Sequence, residues 1–320
     1  MQTAAQRVAL KVATRIVSSG AWQSASGSIN DSHYSLYTYL WHLGPLKTEQ
    51  RIYRELMREP LAADTCYVGV PWTFLINANQ TSAITLPRFE RRAFTVCQHI
   101  HYRHIIPQLV DSGIRTLFTP HVDCDRDDII LAPMPIYPAM QVPPAPVKDL
   151  LFSFVGCDHA MSLDANGAWK PNDVRRRIFD LAKRRPLLSS AIIERAGWYF
   201  YRPGRHDAAE YCDVLSRSRF SLCPRGTGSN SIRLWESFIA GAIPVVLSDG
   251  LRLPSLPDII WKDCVLRVPE DEVDDVPDIL ESIPVEREAQ MRAAGLALAS
   301  GLFARNGFST VVRANPSLRP

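Results

Sequence analysis

The residues of this chain best suited to chemistry are Cys223-Pro224-Arg225-Gly226-Thr227-Gly228-Ser229-Asn230-Ser231-Ile232-Arg233-Leu234-Trp235-Glu236. Gly226 and Gly228 have no Cβ, so backbone N–H groups there can come close to a phosphate. A helix starting just after them adds the partial positive charge of its N-terminus. Arg225 puts a guanidinium fork in the same loop, and such forks match phosphate oxygens. Arg233 and Glu236 stand at i, i+3 on one helix face, with Ile232, Trp235 and Ile239 on the apolar face. A carboxylate one turn into the helix is placed to accept hydrogen bonds from a ribose diol. Singly, each feature has a plainer reading: Gly-x-Gly is a common turn, and Arg233 with Glu236 could be a solvated surface pair. In strand, loop, helix order they describe a diphosphate site.

Such a loop needs a strand before it and a helix after it. Phe220 to Cys223 reads as that strand, Ser231 to Ala240 as the helix closed by Gly241, and Pro244 to Ser248 as the next strand. Upstream, Leu150 to Val155 is an apolar strand ending at Gly156. Val174 to Lys183 is a basic helix with Arg175, Arg176 and Arg177, Trp198 to Tyr201 a strand, and Ala208 to Ser216 a helix. The first half alternates in the same way. Leu46 to Met57 is helical. Thr65 to Val70, Ala93 to Cys97, Arg115 to Thr119 and Asp128 to Leu131 are strands. Gln98 to Ser112 is a helix kinked at Pro107 and stopped at Gly113. This alternation predicts an α/β protein with parallel sheets. Pro133, Pro135, Pro138, Pro143, Pro144 and Pro146 form a semi-rigid connector. The expected organisation is residues 1–140 as an acceptor-side domain, 141–300 as a donor domain, and 301–320 as a tail packing back on the first.

The formal net charge of +3 is too mild for a nucleic-acid binder and suits an anionic small ligand. The seven cysteines include no C-x-x-C pair, which argues against a disulfide framework or a zinc site and for a reducing, cytoplasmic setting. No window reaches 18 uncharged apolar residues, so no transmembrane helix is expected. Arg7, Lys11 and Arg15 fall at i, i+4, i+8 in an acid-free N-terminus. They form an ordinary helix with a basic face, an organellar transit peptide, or a peripheral contact with the inner face of a membrane.

Phe220 to Gly226, then Ser231-x-Arg233-x-x-Glu236, then Gly241 to Asp249 resemble the signature of the exostosin family of glycosyltransferases. Leu151 to Gly156 followed by Arg175-Arg176 is similar to the family's first donor-domain strand and basic helix. Asp128 to Pro133 resembles the end of its acceptor domain. The resemblance spans roughly residues 60–255 and is strongest over 220–250. It implies a GT-B fold, two Rossmann-like domains facing a cleft, in a soluble, bacterial-type member. It implies a UDP-sugar donor, a saccharide acceptor and inverting, metal-independent transfer in polysaccharide or glycan synthesis, with no further cofactor. By position, Glu236 would bind the ribose. Arg225, Gly226, Ser229, Asn230 and Ser231 would hold the diphosphate, with Arg233, Arg175 and Gly156 beside them.

Inverting transfer needs a base for the acceptor hydroxyl. His121 and Asp123, just after the strand at 115–119, are the candidates; they could equally shape a polar turn. Trp72 and Thr73 follow a strand end, as sugar contacts or as core. Asp123-Cys124-Asp125 opens a different possibility, a metal-dependent transferase using Asp123 and Asp125 on a divalent ion. His99, His101 and His104 cluster, but their spacing does not suit zinc. A catalytically inactive sugar-nucleotide-binding subunit, and a phosphorylase or epimerase on the same fold, are further alternatives.

Overall fold

The computed structural model describes residues 47–56, 65–77, 79, 81–184, 189–196, 206–256 and 258–318. The basic N-terminal segment with Arg7, Lys11 and Arg15, and the expected strand at Trp198 to Tyr201, lie outside these residues. The described chain divides into two compact units. Unit 1 holds residues up to 135 with 254–256 and 308–318, and unit 2 holds 136–253 with 258–307.

Unit 1 runs α1 (Lys47–Leu56), β1 (Thr65–Tyr67), α2 (Trp72–Asn77), β2 (Arg92–Val96), α3 (Ile106–Asp111), β3 (Ile114–Thr119) and β4 (Ile130–Pro133). The strands form a parallel sheet in the order β1-β2-β3-β4. Parallel neighbours need crossovers, and helices covering the faces account for the apolar strand sequences. Val70, Trp72, Leu75, Ile105, Leu109 and Leu117 form the core against this sheet. Local rules misplace three boundaries. Pro107 sits in the first turn of α3, where a missing N–H costs nothing, so it opens a helix instead of kinking one. β1 ends at Tyr67 and β4 starts two residues later than expected. Gly113 does end α3, with φ +80.

Unit 2 runs β5 (Leu150–Gly156), β6 (Met161–Leu163), β7 (Trp169–Pro171), α4 (Val174–Arg184), β8 (Ser190–Glu194), α5 (His206–Arg217), β9 (Ser218–Pro224), α6 (Ile232–Ala240), β10 (Ile243–Leu247), β11 (Leu266–Arg267), α7 (Val276–Glu281) and α8 (Val285–Leu302). Five strands form a parallel sheet in the order β11-β10-β9-β5-β8. Phe152, Phe154, Ile178, Phe220, Leu222 and Val245 fill one face, while Val155, Tyr211 and Ala240 belong to the cluster on the other. β6 and β7 form a separate antiparallel hairpin. Gly241 ends α6 at φ +65; its N–H bonds Phe238 O, and that of Ala242 bonds Ser237 O. Only a residue tolerant of the left-handed region makes this turn without strain.

The last helix, α9 (Gly307–Ala314), lies almost wholly in unit 1. The Ser309 N–H donates to the buried Glu55 carboxylate at 2.9 Å, which places an anion at the N-terminus of α9.

Candidate functional site

Strand order creates the site in unit 2. β5 leads to β8 on one side, while β9 lies on the other. The chain therefore reverses its direction of travel between β5 and β9, and the segments leaving their carboxyl ends diverge. In open α/β sheets ligands bind at that point. Gly156 ends β5 there, and Pro224 delivers Arg225 and the glycine loop from β9.

The loop is fixed by its own backbone. Arg225 N–H donates to Leu247 O at 2.9 Å and Gly226 N–H to Gly228 O at 3.1 Å. The Ser248 hydroxyl holds Ser229 O at 2.8 Å. Ser231 is extended at the N-cap of α6 and gives no side-chain cap, so no cap oxygen competes for the first amides of that helix.

Two guanidiniums flank the Phe154 ring, Arg233 at 4.5 Å and Arg175 at 5.7 Å from its centre. Arg175 donates Nε to Arg225 O at 3.0 Å and Nη1 to Cys157 O at 3.2 Å; Arg233 donates to Val155 O. Among the described residues neither forms an ion pair with a carboxylate. Burial pushes Arg175 down to about 10, and the Arg233 charge adds to that shift. Two close cations, tempered by Asp158 near Arg175 and Glu236 near Arg233 but ion-paired with neither, make an electropositive site beside a glycine loop and an open helix end.

Gly226 is where the backbone meets this charge. A Cβ there would lie 2.8 Å from Arg175 Nη2. That nitrogen ends a flexible side chain, so Gly226→Ala is expected to leave the melting temperature near wild type. It should displace Arg175 and weaken a phosphate ligand by about tenfold, read by calorimetry.

Several expectations are corrected. The Arg225 guanidinium is buried among protein groups: Nη2 donates to Leu163 O at 2.9 Å, Nη1 faces Glu270 at 3.5 Å, and only Nε is without a partner. Its main task is to tie the β6–β7 hairpin to the loop. The Asn230 carboxamide oxygen is taken by Trp235 Nε1 at 3.2 Å. α6 has no solvated face for an Arg233–Glu236 surface pair, because both residues are buried with nearly the whole helix. The Glu236 carboxylate is 0% exposed. It accepts Ala139 N–H at 3.1 Å, Met140 N–H at 3.0 Å and the Tyr211 hydroxyl at 2.5 Å. It therefore clamps the proline-rich connector to α6, and a ribose would reach it only after that clamp opened. The sequence reading also missed the hairpin, although Asn166-Gly167 between its strands is a turn signal.

In unit 1, Trp72 and Thr73 are core, which corrects the sugar-contact reading. Trp72 is fully buried and donates Nε1 to Thr95 Oγ1 at 2.8 Å. The Thr73 hydroxyl donates to Glu49 at 2.5 Å. Glu49, unmarked in the sequence, also accepts Gln98 N–H at 2.7 Å, and burial pushes it up to about 7. The base candidates differ in their surroundings. Asp123 is ion-paired with Arg103 at 2.6 Å. His121 is buried, bonded to the Gln98 backbone, and its Nδ1 has no partner. Burial pulls His121 down to about 3, helped by His99 and Arg103, and His99 down to about 4, so both rings are neutral at pH 7. His101 and His104 stack 5.1 Å apart. No group of three or more His, Cys, Asp or Glu among the described residues could hold a metal ion, which leaves Asp123 and Asp125 without further ligands.

These depressed histidines set a pH dependence. Unfolded, they titrate near 6.5; folded, they stay neutral to about 4 and 3. Their contribution is present above 6.5 and lost as pH falls through those values. Glu49, and Glu236 in unit 2, act oppositely between 4.5 and 7. His99 and His121 should remain neutral at pH 5 in an NMR titration.

All seven cysteines are free thiols, and no helix among the described residues is long and apolar enough to cross a membrane. The Exostosin GT47 domain family matches residues 93–283, more than half of the chain. A probable glucuronosyltransferase of rice (Oryza sativa subsp. japonica) is 30% identical over 190 residues, covering 58% of this chain and 42% of its own length. A probable beta-1,4-xylosyltransferase of Arabidopsis thaliana is 28% identical over 189 residues, covering 58% and 43%. The chain thus spans about half the length of the curated relatives it matches. Among solved structures, the Anabaena protein HepE in complex with UDP and glucose is 13% identical. It has a TM-score of 0.39 and covers 79% of this chain and 76% of its own. A likeness this distant bears on neither donor nor site.

Proposed function

Because the chain belongs to the exostosin GT47 domain family, we propose that it is a glycosyltransferase that moves a sugar from a UDP-sugar to a saccharide acceptor in polysaccharide or glycan synthesis. The observation that carries this reading is the Arg175–Phe154–Arg233 stack: two guanidiniums, neither ion-paired with a carboxylate among the described residues, at the strand-order switch, beside a glycine loop and an uncapped helix. A diphosphate fits that arrangement in charge and in hydrogen-bond donors. As the glycosidic bond to the diphosphate breaks, negative charge grows on the leaving oxygen. Arg175 and the N-terminal amides of α6 stabilise it without a resident metal.

The acceptor hydroxyl loses its proton as its oxygen attacks the anomeric carbon from the opposite face, which inverts the configuration. Neither base candidate is favoured: burial pulls His121 down to about 3 and closes its Nδ1 to solvent, which makes it a weak base, and Asp123 is ion-paired with Arg103. A non-catalytic sugar-nucleotide binder is the second reading, favoured by one observation: Nδ1 of His121 is closed to solvent.

The test is turnover. UDP-glucuronate, UDP-xylose and UDP-glucose are incubated with oligosaccharide acceptors, and UDP release and product mass are followed. Acceptor-dependent release supports the transferase. Binding of UDP without release or transfer supports the binder.

A further inference from the structure

Cys157 follows Gly156 at the strand-order switch, and its thiol is paired with an imidazole: Sγ lies 3.4 Å from His159 Nε2. The Arg175 guanidinium reaches the Cys157 side chain as well as its carbonyl. A Cβ on Gly226 would meet Arg175 Nη2 at 2.8 Å and His159 Cδ2 at 3.9 Å, so cation and imidazole both stand against the first glycine of the loop. Cys157 and His159 are partly exposed, which leaves the pair open to a small reagent. Burial, with the Arg175 charge second, pulls His159 below its usual value, so the ring is neutral at pH 7 and can take a thiol proton.

The other six thiols have different surroundings. Cys97, Cys223 and Cys264 are buried, and burial pushes all three up. Cys66 and Cys212 are partly exposed, and burial pushes them up too. Cys124 has a guanidinium 4.0 Å away, but that guanidinium, of Arg103, is ion-paired with Asp123. The thiolate is the form that attacks a disulfide, and a neighbouring base and cation favour it. The cations that suit a diphosphate also attract any other small anion to the same place.

We propose that Cys157 is a modification site: it exchanges with an anionic low-molecular-weight disulfide, and the group it takes up closes the diphosphate site. The closing of the site rests on the UDP-sugar reading above. In the exchange the thiol proton passes to His159 Nε2. The sulfur attacks one sulfur of the disulfide, the new S–S bond forms as the old one breaks, and the departing thiolate leaves with the proton. Cys157 is oxidised and the departing half is reduced, so the disulfide is the only oxidant required. The group left on Sγ stands beside Arg175 and competes with a phosphate for it.

Oxidised glutathione, which carries carboxylates, is compared with cystamine, which is cationic, each rate being divided by that for N-acetylcysteine. Peptide mass mapping follows every cysteine at pH 7. Cys157 should react with oxidised glutathione about tenfold faster than Cys66, Cys124 or Cys212, the other partly exposed thiols, and should alone prefer it to cystamine. His159→Asn should remove most of that advantage, because an unassisted thiol is only a few per cent thiolate at pH 7. Saturating UDP should protect Cys157 and leave the other three unprotected, a result that needs no variant. The modified wild type should bind UDP at least about tenfold more weakly and recover with dithiothreitol, while the same treatment leaves the affinity of Cys157→Ser as it was. Equal reaction of the four thiols, no preference for the anionic reagent, or an unchanged UDP affinity after modification would each overturn the proposal. If the wild type binds no UDP, the UDP-sugar reading fails and the selectivity at Cys157 is read by itself; if UDP binds and Cys157 is not selected, only this inference fails.

Discussion

Arg175→Ala is expected to lower sugar transfer by about a hundredfold to a thousandfold, the range for removing one preorganised group from a developing charge. Arg175 is the cation with its end against Gly226, and its Nε and Nη1 are fixed by the carbonyls of Arg225 and Cys157. That orientation exists before any ligand arrives, so little reorganisation is needed when the leaving diphosphate forms. Burial and Arg233 hold its pKa down to about 10, and an arriving anion relieves both effects. Arg175→Lys keeps the charge and loses the fork, so it should recover only part of the activity. Stability should fall by about 1–3 kcal/mol, because the side chain makes two carbonyl bonds and no ion pair. Turnover with saturating acceptor and a melting curve separate the two effects. A variant that melts normally and transfers normally would remove Arg175 from the site.

Glu236→Ala is expected to be the most destabilising single change in unit 2. It deletes the acceptor of Ala139 N–H, Met140 N–H and the Tyr211 hydroxyl in a fully buried place. Leaving several buried donors unpaired costs about 3 kcal/mol or more. At roughly 2–4 °C per kcal/mol for a domain of this size, the transition should fall by about 6–12 °C. Glu236→Gln can still accept the two amides and turn its nitrogen toward the Tyr211 oxygen, so it should stay within about 1 kcal/mol of wild type.

The pair also reads out a charge. Burial pushes Glu236 up to about 7 against the pull of Tyr211, the connector amides and Arg233. A raised carboxyl pKa means that the folded state keeps a proton the unfolded chain has lost. The stabilisation is full below 4.5 and disappears as pH rises through 7, on the order of 1–3 kcal/mol in all. The stability difference between wild type and Glu236→Gln should therefore shift in favour of the variant from pH 4.5 to 7 and level off above. A difference that is flat with pH would show that the carboxyl titrates normally.

The sequence exposed the local parts of this account. β5, β9 and β10 are apolar runs ended by glycine, proline or serine, and α6 is bracketed by Ser231 and Gly241, so short-range rules found them. Gly226 beside an arginine-bearing helix was visible in the same way. What it hid depends on partners distant in the chain. Glu236 looked like a ligand carboxylate because nothing nearby in sequence shows that Ala139 and Met140 claim it. Trp72 and Thr73 could be sugar contacts or core from their place after a strand end, and Thr95 and Glu49, on other elements, hold them in the core. Arg225 looked like the phosphate cation, but the β6–β7 hairpin, built from three-residue strands too short for periodicity to reveal, takes its guanidinium. The reversal of strand order between β5 and β9 cannot be read from a linear sequence at all, and it is what brings Gly156, Arg175 and the glycine loop together.

The central claim is a nucleoside-diphosphate site at the loop between β9 and α6, charged by Arg175 and Arg233. Calorimetric titration of UDP into the wild type and Arg175→Ala tests it most directly. Saturable one-to-one binding is predicted for the wild type, weakening as salt rises, and at least tenfold weaker in the variant. Absence of binding to the wild type, or equal affinity in both proteins, would contradict it.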